Sequence, residues 1–108
     1  MISVIVPSYK NPKCLEICLQ SFLDTTTTNA ELICIIDGFP EYYENSTVRA
    51  INDPRIKFAL NEHNRGMPFS INIGVYNAEN PWILVVNDDN VFPKNWDKIL
   101  LQYNDEDK

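Results

Sequence analysis

Three short apolar runs, at residues 2–6, 32–36 and 82–86, constrain the fold of this chain more than any other feature. Each has the length of a strand, and none keeps the strict alternation of a strand with one wet face. They read as buried strands covered on both sides, the pattern of a parallel sheet. Between the first two runs, Leu15, Cys18, Leu19, Phe22 and Leu23 recur at spacings of three and four, which marks the buried stripe of a helix. Asn11 as cap and Pro12 at the first helical position start it. The β-branched threonines at 25–28 end it.

The remaining segments continue the alternation. Residues 42–51 form a weaker helical candidate that stops before Asp53-Pro54. Ile56, Phe58 and Leu60 alternate with Lys57, Ala59 and Asn61, so a third strand with one more exposed face is expected, at a sheet edge. From Gly66 onward Met67, Ile71, Val75 and Ala78 keep helical register, with Pro68 tolerable only in a first turn. After the run at 82–86, Pro93 opens a segment that places Trp96, Ile99, Leu100 and Tyr103 on one helical face. The order is βαβαβαβα. Right-handed crossovers make such strands parallel, and the expected architecture is a Rossmann-like α/β sheet with strands near 2–7, 31–37, 55–60 and 82–87 in the order 3-2-1-4.

With 108 residues the chain has room for one small domain. A net charge of -6 argues against a nucleic-acid partner, which would require a basic field. No stretch is long enough to span a bilayer, and no basic leader follows Met1, so a cytoplasmic protein with no membrane segment is expected. Cys14, Cys18 and Cys34 are odd in number and interleaved with apolar residues, which predicts buried free thiols rather than disulfides or a zinc site.

If all the strands are parallel, their polar ends meet on one rim. Pro7, Ser8 and Tyr9 follow the first run, Asp37 and Gly38 the second, and Asn87, Asp88, Asp89 and Asn90 the last. In open α/β sheets ligands bind outside the carboxyl ends of the strands, in the crevice where strand order reverses. Here that crevice lies between the first and fourth strands. Adjacent carboxylates at such a place suit a hard divalent cation bound together with a phosphate.

The ordered set Val4-Ile5-Val6-Pro7-Ser8-Tyr9, Ile35-Ile36-Asp37-Gly38, Asn64-Arg65-Gly66, Ser70-Ile71-Asn72-Ile73-Gly74 and Asn87-Asp88-Asp89-Asn90 resembles the amino-terminal half of a family 2 glycosyltransferase. The resemblance covers nearly the whole chain. It implies a GT-A fold and transfer of a sugar from a nucleotide diphosphate donor, commonly a UDP-sugar, to an acceptor hydroxyl. It further implies that Pro7, Ser8 and Tyr9 border the base and ribose, with Tyr9 stacking on the base, and that Asp37 hydrogen-bonds the base. Asp88 would lie near the ribose or diphosphate, and Asp89 would ligate Mn²⁺ or Mg²⁺. Gly66 and Asn72 would shape the wall facing the diphosphate and sugar, with Arg65 as an extra cation. Residues 1–108 would then be one nucleotide-sugar-binding unit, the amino-terminal part of a longer domain.

The sequence departs from the family pattern at three places. Ile36 stands where the first acid of an Asp-Asp-Gly often occurs, Val86 where an acid often precedes the metal-binding pair, and Ile71 where a basic residue is frequent. The general base that inverting transfer needs lies, in the family, in the carboxyl-terminal half. No residue here is expected to fill that role, neither His63 in its loop nor Asp105, Glu106 and Asp107 in a charged tail. Apolar surface around Trp96 and the last helix is therefore expected to be exposed, or covered by a carboxyl-terminal half or a second copy. Two alternatives stay open: a sugar nucleotidyltransferase, against which stands the lack of a Gly-rich basic loop after the first strand, and a catalytically silent binding or interaction module on the same scaffold.

Overall fold

The computed structural model describes residues 1–44 and 46–106, Arg49 and the last four by their backbone. Strands β1 (Ile2–Ser8), β2 (Glu31–Asp37), β3 (Ile56–Asn61) and β4 (Trp82–Val85) form one parallel sheet in the order β3-β2-β1-β4. Val4 faces Leu32 on one side and Leu84 on the other, and Leu32 in turn faces Ile56. Helices α1 (Pro12–Thr25), α2 (Met67–Asn77) and α3 (Trp96–Glu106) follow β1, β3 and β4 as the sequence predicts, whereas two short 3₁₀ turns join β2 to β3.

The two-residue period of the strands splits the core in two. Val4, Val6, Leu32 and Cys34 turn to one face and meet Leu15, Cys18, Leu19 and Phe22 of α1, together with Phe92 and Trp96. Ile5, Ile33 and Ile35 turn to the other and meet Ile73 and Ala78 on the α2 side. Each fully buried Leu, Ile or Phe contributes roughly 1.5–3 kcal/mol over its exposed state. On the second face α2 sits very close to the sheet at Gly74. A Cβ built there would lie 2.4 Å from Ile5 Cγ2 and 2.9 Å from Ile5 Cδ1, so only glycine permits this approach.

Away from the site, two buried acids fasten the layers. Glu31 accepts from Ser3 Oγ, from Lys57 Nζ at 2.9 Å and from the Glu79 N–H at 2.7 Å, which ties the starts of β1, β2 and β3 to the turn before β4. Asp97, with no exposed surface, accepts from the Thr27 and Thr28 N–H groups at 2.9 and 2.8 Å and so pins α3 to the segment after α1. Neither role is visible in sequence, because both acids pair with partners distant along the chain.

Four expectations need correction. Residues 42–51 do not form one helix. They contain the end of a short 3₁₀ turn, Pro40–Tyr42, and a second, Thr47–Ala50. Among the described residues of that stretch only Tyr43 and Val48 are buried, too few for a helical stripe, and Ser46 Oγ accepts from the Val48 N–H to start the second turn afresh. Asn11 precedes α1 but makes no capping bond, since its side chain is engaged elsewhere. The β4 run is not a buried strand. It pairs only with β1 among the described residues, leaving Trp82 43% and Val85 43% exposed.

Trp96, expected at an exposed surface, is buried. Its ring lies 4.9 Å from Phe92 and 6.0 Å from Phe22, and its indole N–H donates to Thr26 Oγ1 at 3.1 Å. Among the described side chains of α3, the exposed apolar residues are Ile99 and Leu100. The side chains of Tyr103, Asp105, Glu106 and Asp107 lie outside the described residues. Cys14, Cys18 and Cys34 are free thiols, the last two buried and Cys14 partly so. No described helix is long and apolar enough to cross a membrane.

Candidate functional site

The parallel arrangement brings the polar ends of all four strands to one edge. Pro7, Ser8 and Tyr9 after β1, Asp37 at the end of β2, Asn64, Gly66 and Met67 after β3, and Asn87, Asp88 and Asp89 after β4 line a single cleft of about 480 Å³. It lies at the β1–β4 switch point, where the sequence places it. A wider groove of about 790 Å³ between α1 and residues 47–53 stands away from the strand ends. The cleft, with its convergent carboxylates and amides, is the better candidate on chemical grounds.

Asp88 is held from behind. Ser8 Oγ donates to its Oδ2 at 2.9 Å, and Asn11 Nδ2 donates to its Oδ1 at 3.2 Å. These bonds bridge β1 and the start of α1 to the end of β4 and explain why Asn11 does not cap its helix. Asp89, the next residue, is exposed at the cleft. The charge of the pair reaches into the core: burial first, then the charges of Asp88 and Asp89, push the Cys18 thiol up to about 12. Burial also raises the Cys34 thiol, with Cys18 and Asp88 adding to it.

Asp37 lines the cleft but is 4% exposed, and both carboxylate oxygens are already occupied. One accepts from Asn61 Nδ2 at 3.0 Å and from the Arg65 N–H at 2.8 Å, the other from Asn64 Nδ2 at 2.8 Å and the Gly66 N–H at 3.0 Å. With about four lone-pair sites on an ionised carboxylate, little capacity remains for a base N–H. What Asp37 does here is fix the loop that leads into α2. Gly38 permits this, because its φ is +79° and a Cβ would meet the Asn64 nitrogen at 2.6 Å.

Tyr9 stands 49% exposed at the rim, with its ring edge-on to Phe39 at 5.7 Å. The Lys10 ammonium lies among three rings, 4.1 Å from the Phe39 centroid, 5.3 Å from Tyr9 and 5.6 Å from Tyr42. Lys10 and Phe39 both hold a left-handed φ of 52°, a conformation costly for non-glycine residues. Sequence reasoning passed over Lys10, Phe39 and Tyr43, whose hydroxyl reaches Ser8 at 2.7 Å. A cue to Tyr43 existed only in its being a buried-type aromatic in a polar loop.

Arg65 and Asn72 do not line the cleft. The Arg65 guanidinium lies 5.6 Å from the centroid of Phe69, and Asn72 is exposed on α2. His63 is an exposed loop residue, as expected. Among the described residues no group of three His, Cys, Asp or Glu side chains is arranged to hold a metal ion. A hard cation that keeps waters and takes phosphate oxygens needs only one or two carboxylates from the protein. The Asp88–Asp89 pair meets that lower requirement.

A family model described as glycosyl transferase family 2 matches residues 3–108. An uncharacterized glycosyltransferase of Haemophilus influenzae is 30% identical over 105 residues, covering 93% of this chain and 33% of that protein. Glycosyltransferase GlyG of Streptococcus pneumoniae is 29% identical over 103 residues, covering 94% of this chain and 34% of GlyG. The chain thus spans about a third of the length of these relatives. The crystal structure of S. aureus TarS 1-349 superposes with a TM-score of 0.82 at 25% identity, over 97% of this chain and 32% of that one. TarS 1-349 has also been solved in complex with UDP-GlcNAc and with UDP, each with a TM-score of 0.79. The fold is therefore the α/β GT-A type that the sequence implies.

Proposed function

Because the chain belongs to glycosyl transferase family 2, we propose that it forms the donor-binding part of an enzyme that transfers a sugar from a nucleotide diphosphate donor, a UDP-sugar, to an acceptor hydroxyl. One observation carries this reading: the strand-end residues named by the motifs, Pro7, Ser8, Tyr9, Asp37, Gly66, Asp88 and Asp89, share one cleft. The TarS complexes with UDP and UDP-GlcNAc support the choice of donor. On this reading residues 1–108 make one unit, the amino-terminal part of a longer domain, and the general base and acceptor wall belong to other parts of the enzyme.

The roles follow from what each side chain has free. Tyr9 offers a half-exposed aromatic ring at the rim, suited to a nucleobase, beside Pro7 and Ser8. Asp37 acts through the loop it holds, setting Gly66 and the first turn of α2 against the cleft. Asp88, fixed by Ser8 and Asn11, faces the ribose or diphosphate. Asp89 is the principal ligand for Mn²⁺ or Mg²⁺. When bound, that cation neutralises the charge growing on the diphosphate as the glycosidic bond breaks. Without it two carboxylates would repel a diphosphate brought beside them. Gly66 adds close backbone approach, while Arg65 and Asn72, which lie off the cleft lining, contribute to donor binding only if the loop and α2 move toward the ligand.

Titration calorimetry of the chain with UDP, UDP-GlcNAc, ADP and uridine, each with and without Mn²⁺, tests the reading. The expected result is weak binding of UDP and its sugar conjugate that Mn²⁺ strengthens, weaker binding of ADP, and no metal effect with uridine. Equal binding of UDP and ADP, or no nucleotide binding at any metal concentration, would refute it.

A further inference from the structure

Tyr43 connects a part of the fold with no assigned task to the carboxylate at the centre of the cleft. It follows the 3₁₀ turn Pro40–Tyr42 and is 3% exposed. Its ring forms one wall of an apolar cavity of about 340 Å³ that Ile36, Val48, Ile51 and Phe58 also line. That packing fixes the ring and aims the hydroxyl at the end of β1. There the hydroxyl lies 2.7 Å from Ser8 Oγ and accepts from the Asn11 N–H at 3.3 Å.

The direction of every proton in this network follows from elementary chemistry. An ionised Asp88 can only accept, so the single Ser8 proton points to its Oδ2. Ser8 Oγ is then left to accept, and Tyr43 must be the donor to it. The phenol oxygen has its own lone pair free for the Asn11 N–H. Burial raises the Tyr43 hydroxyl above the ordinary phenol range, so the proton it donates to Ser8 stays in place. The series runs one way, from Asn11 through Tyr43 and Ser8 to Asp88, and Asn11 closes the ring through its side chain. Hydrogen bonds in such a series polarise and strengthen one another.

We propose that Tyr43 is a positioning residue for the donor nucleotide, which through Ser8 holds the Asp88 carboxylate in the orientation that faces the cleft. The proposal rests on the reading of Asp88 as a nucleotide contact. The buried phenol finds its hydrogen-bond partner at the serine that donates to Asp88, so a change at Tyr43 reaches that carboxylate through Ser8. The role also explains why the loop between β2 and β3 lies against α1 and the end of β1: it delivers this hydroxyl.

The test compares wild type, Tyr43→Phe, Ser8→Ala and the double variant in the full chain. UDP binding with Mn²⁺ is measured by calorimetry, and the ¹³C carboxyl resonance of Asp88 is recorded without ligand. Tyr43→Phe keeps the ring and its packing, and should weaken UDP binding about fivefold, the worth of one ordinary hydrogen bond. In the Ser8→Ala background the same change should cost nothing further, because its route to Asp88 is already cut. The Asp88 resonance should move in Tyr43→Phe in the direction it moves in Ser8→Ala. Equal losses in both backgrounds, or an Asp88 resonance unmoved by Tyr43→Phe, would overturn the proposal. Failure of the wild type to bind UDP would instead refute the function proposed above, and the Asp88 resonance would still decide whether Tyr43 controls that carboxylate.

Discussion

The Arg65 backbone N–H lies 2.8 Å from the Asp37 carboxylate, one of four donors that the end of β2 draws from β3 and the loop after it. An acid that sits at the cleft wall therefore spends its charge on the protein. Its loop carries Gly66, whose φ of +90° opens α2, so the wall and the helix start depend on one side chain. Asp37→Ala should leave those donors unsatisfied at a cost of about 3 kcal/mol or more. Hydrogen exchange at Arg65 and Gly66 should quicken by more than the global loss of stability accounts for. Unchanged protection at those two amides would show that the loop holds itself.

Asp97 carries a pH dependence whose sign can be stated. Burial alone would raise its carboxyl, but hydrogen bonds from Thr28 and Thr27 outweigh it and hold the group below its usual value. A folded-state value below the unfolded one gives stability that is fully present above about pH 4 and lost as pH falls through the lowered value. Glu31 behaves alike: burial opposes, and bonds from Ser3, the Glu79 N–H and Lys57 prevail. Asp97→Asn should cost about 1–3 kcal/mol at pH 7 and flatten the loss of stability below about pH 4, both read by urea unfolding. A variant as acid-sensitive as wild type would assign that loss to other groups.

Gly74→Ala tests the contact between α2 and the sheet. Relieving a 2.4 Å approach to Ile5 Cγ2 requires α2 or β1 to shift, and overpacking of this kind costs about 1–3 kcal/mol. In an ordinary exposed helix the same change would stabilise by about 1 kcal/mol. The sign of the change in thermal midpoint separates the two.

The parallel sheet, its strand order and the cleft were legible because they rest on local patterns: apolar runs, helical spacing and polar residues just past each run. What escaped reading depends on contacts between distant segments. Nothing near Asp37 announces that Asn61, Asn64, Arg65 and Gly66 will surround it, so its charge looked free for a ligand. The run at 82–86 has the composition of a central strand, yet β4 shows Trp82, Ile83 and Val85 to solvent. Composition records what a strand can bury, and the partner that buries it is a separate fact. Trp96 misled in the opposite sense, since Phe22 of α1 and Phe92 of the loop before α3 both meet it.

The thiols offer a check on the core around the site. With Cys18 pushed up to about 12 and buried, and Cys34 buried beside it, neither forms appreciable thiolate at pH 8. A disulfide-exchange reagent at that pH should label one thiol of the native chain, Cys14, and three only after unfolding. Rapid labelling of Cys18 in the folded protein would mean that α1 separates readily from the sheet beneath Asp88.

The central claim is that the cleft binds a nucleoside diphosphate through a cation held by Asp89, and the metal dependence of UDP binding in Asp89→Ala measures it most directly. Metal and diphosphate should bind with positive coupling in the wild type, each strengthening the other by the same factor. Asp89→Ala should abolish the Mn²⁺ enhancement and bring UDP affinity to its metal-free value, while the thermal midpoint stays near that of wild type because Asp89 is exposed. An enhancement in Asp89→Ala as large as in wild type would contradict the account.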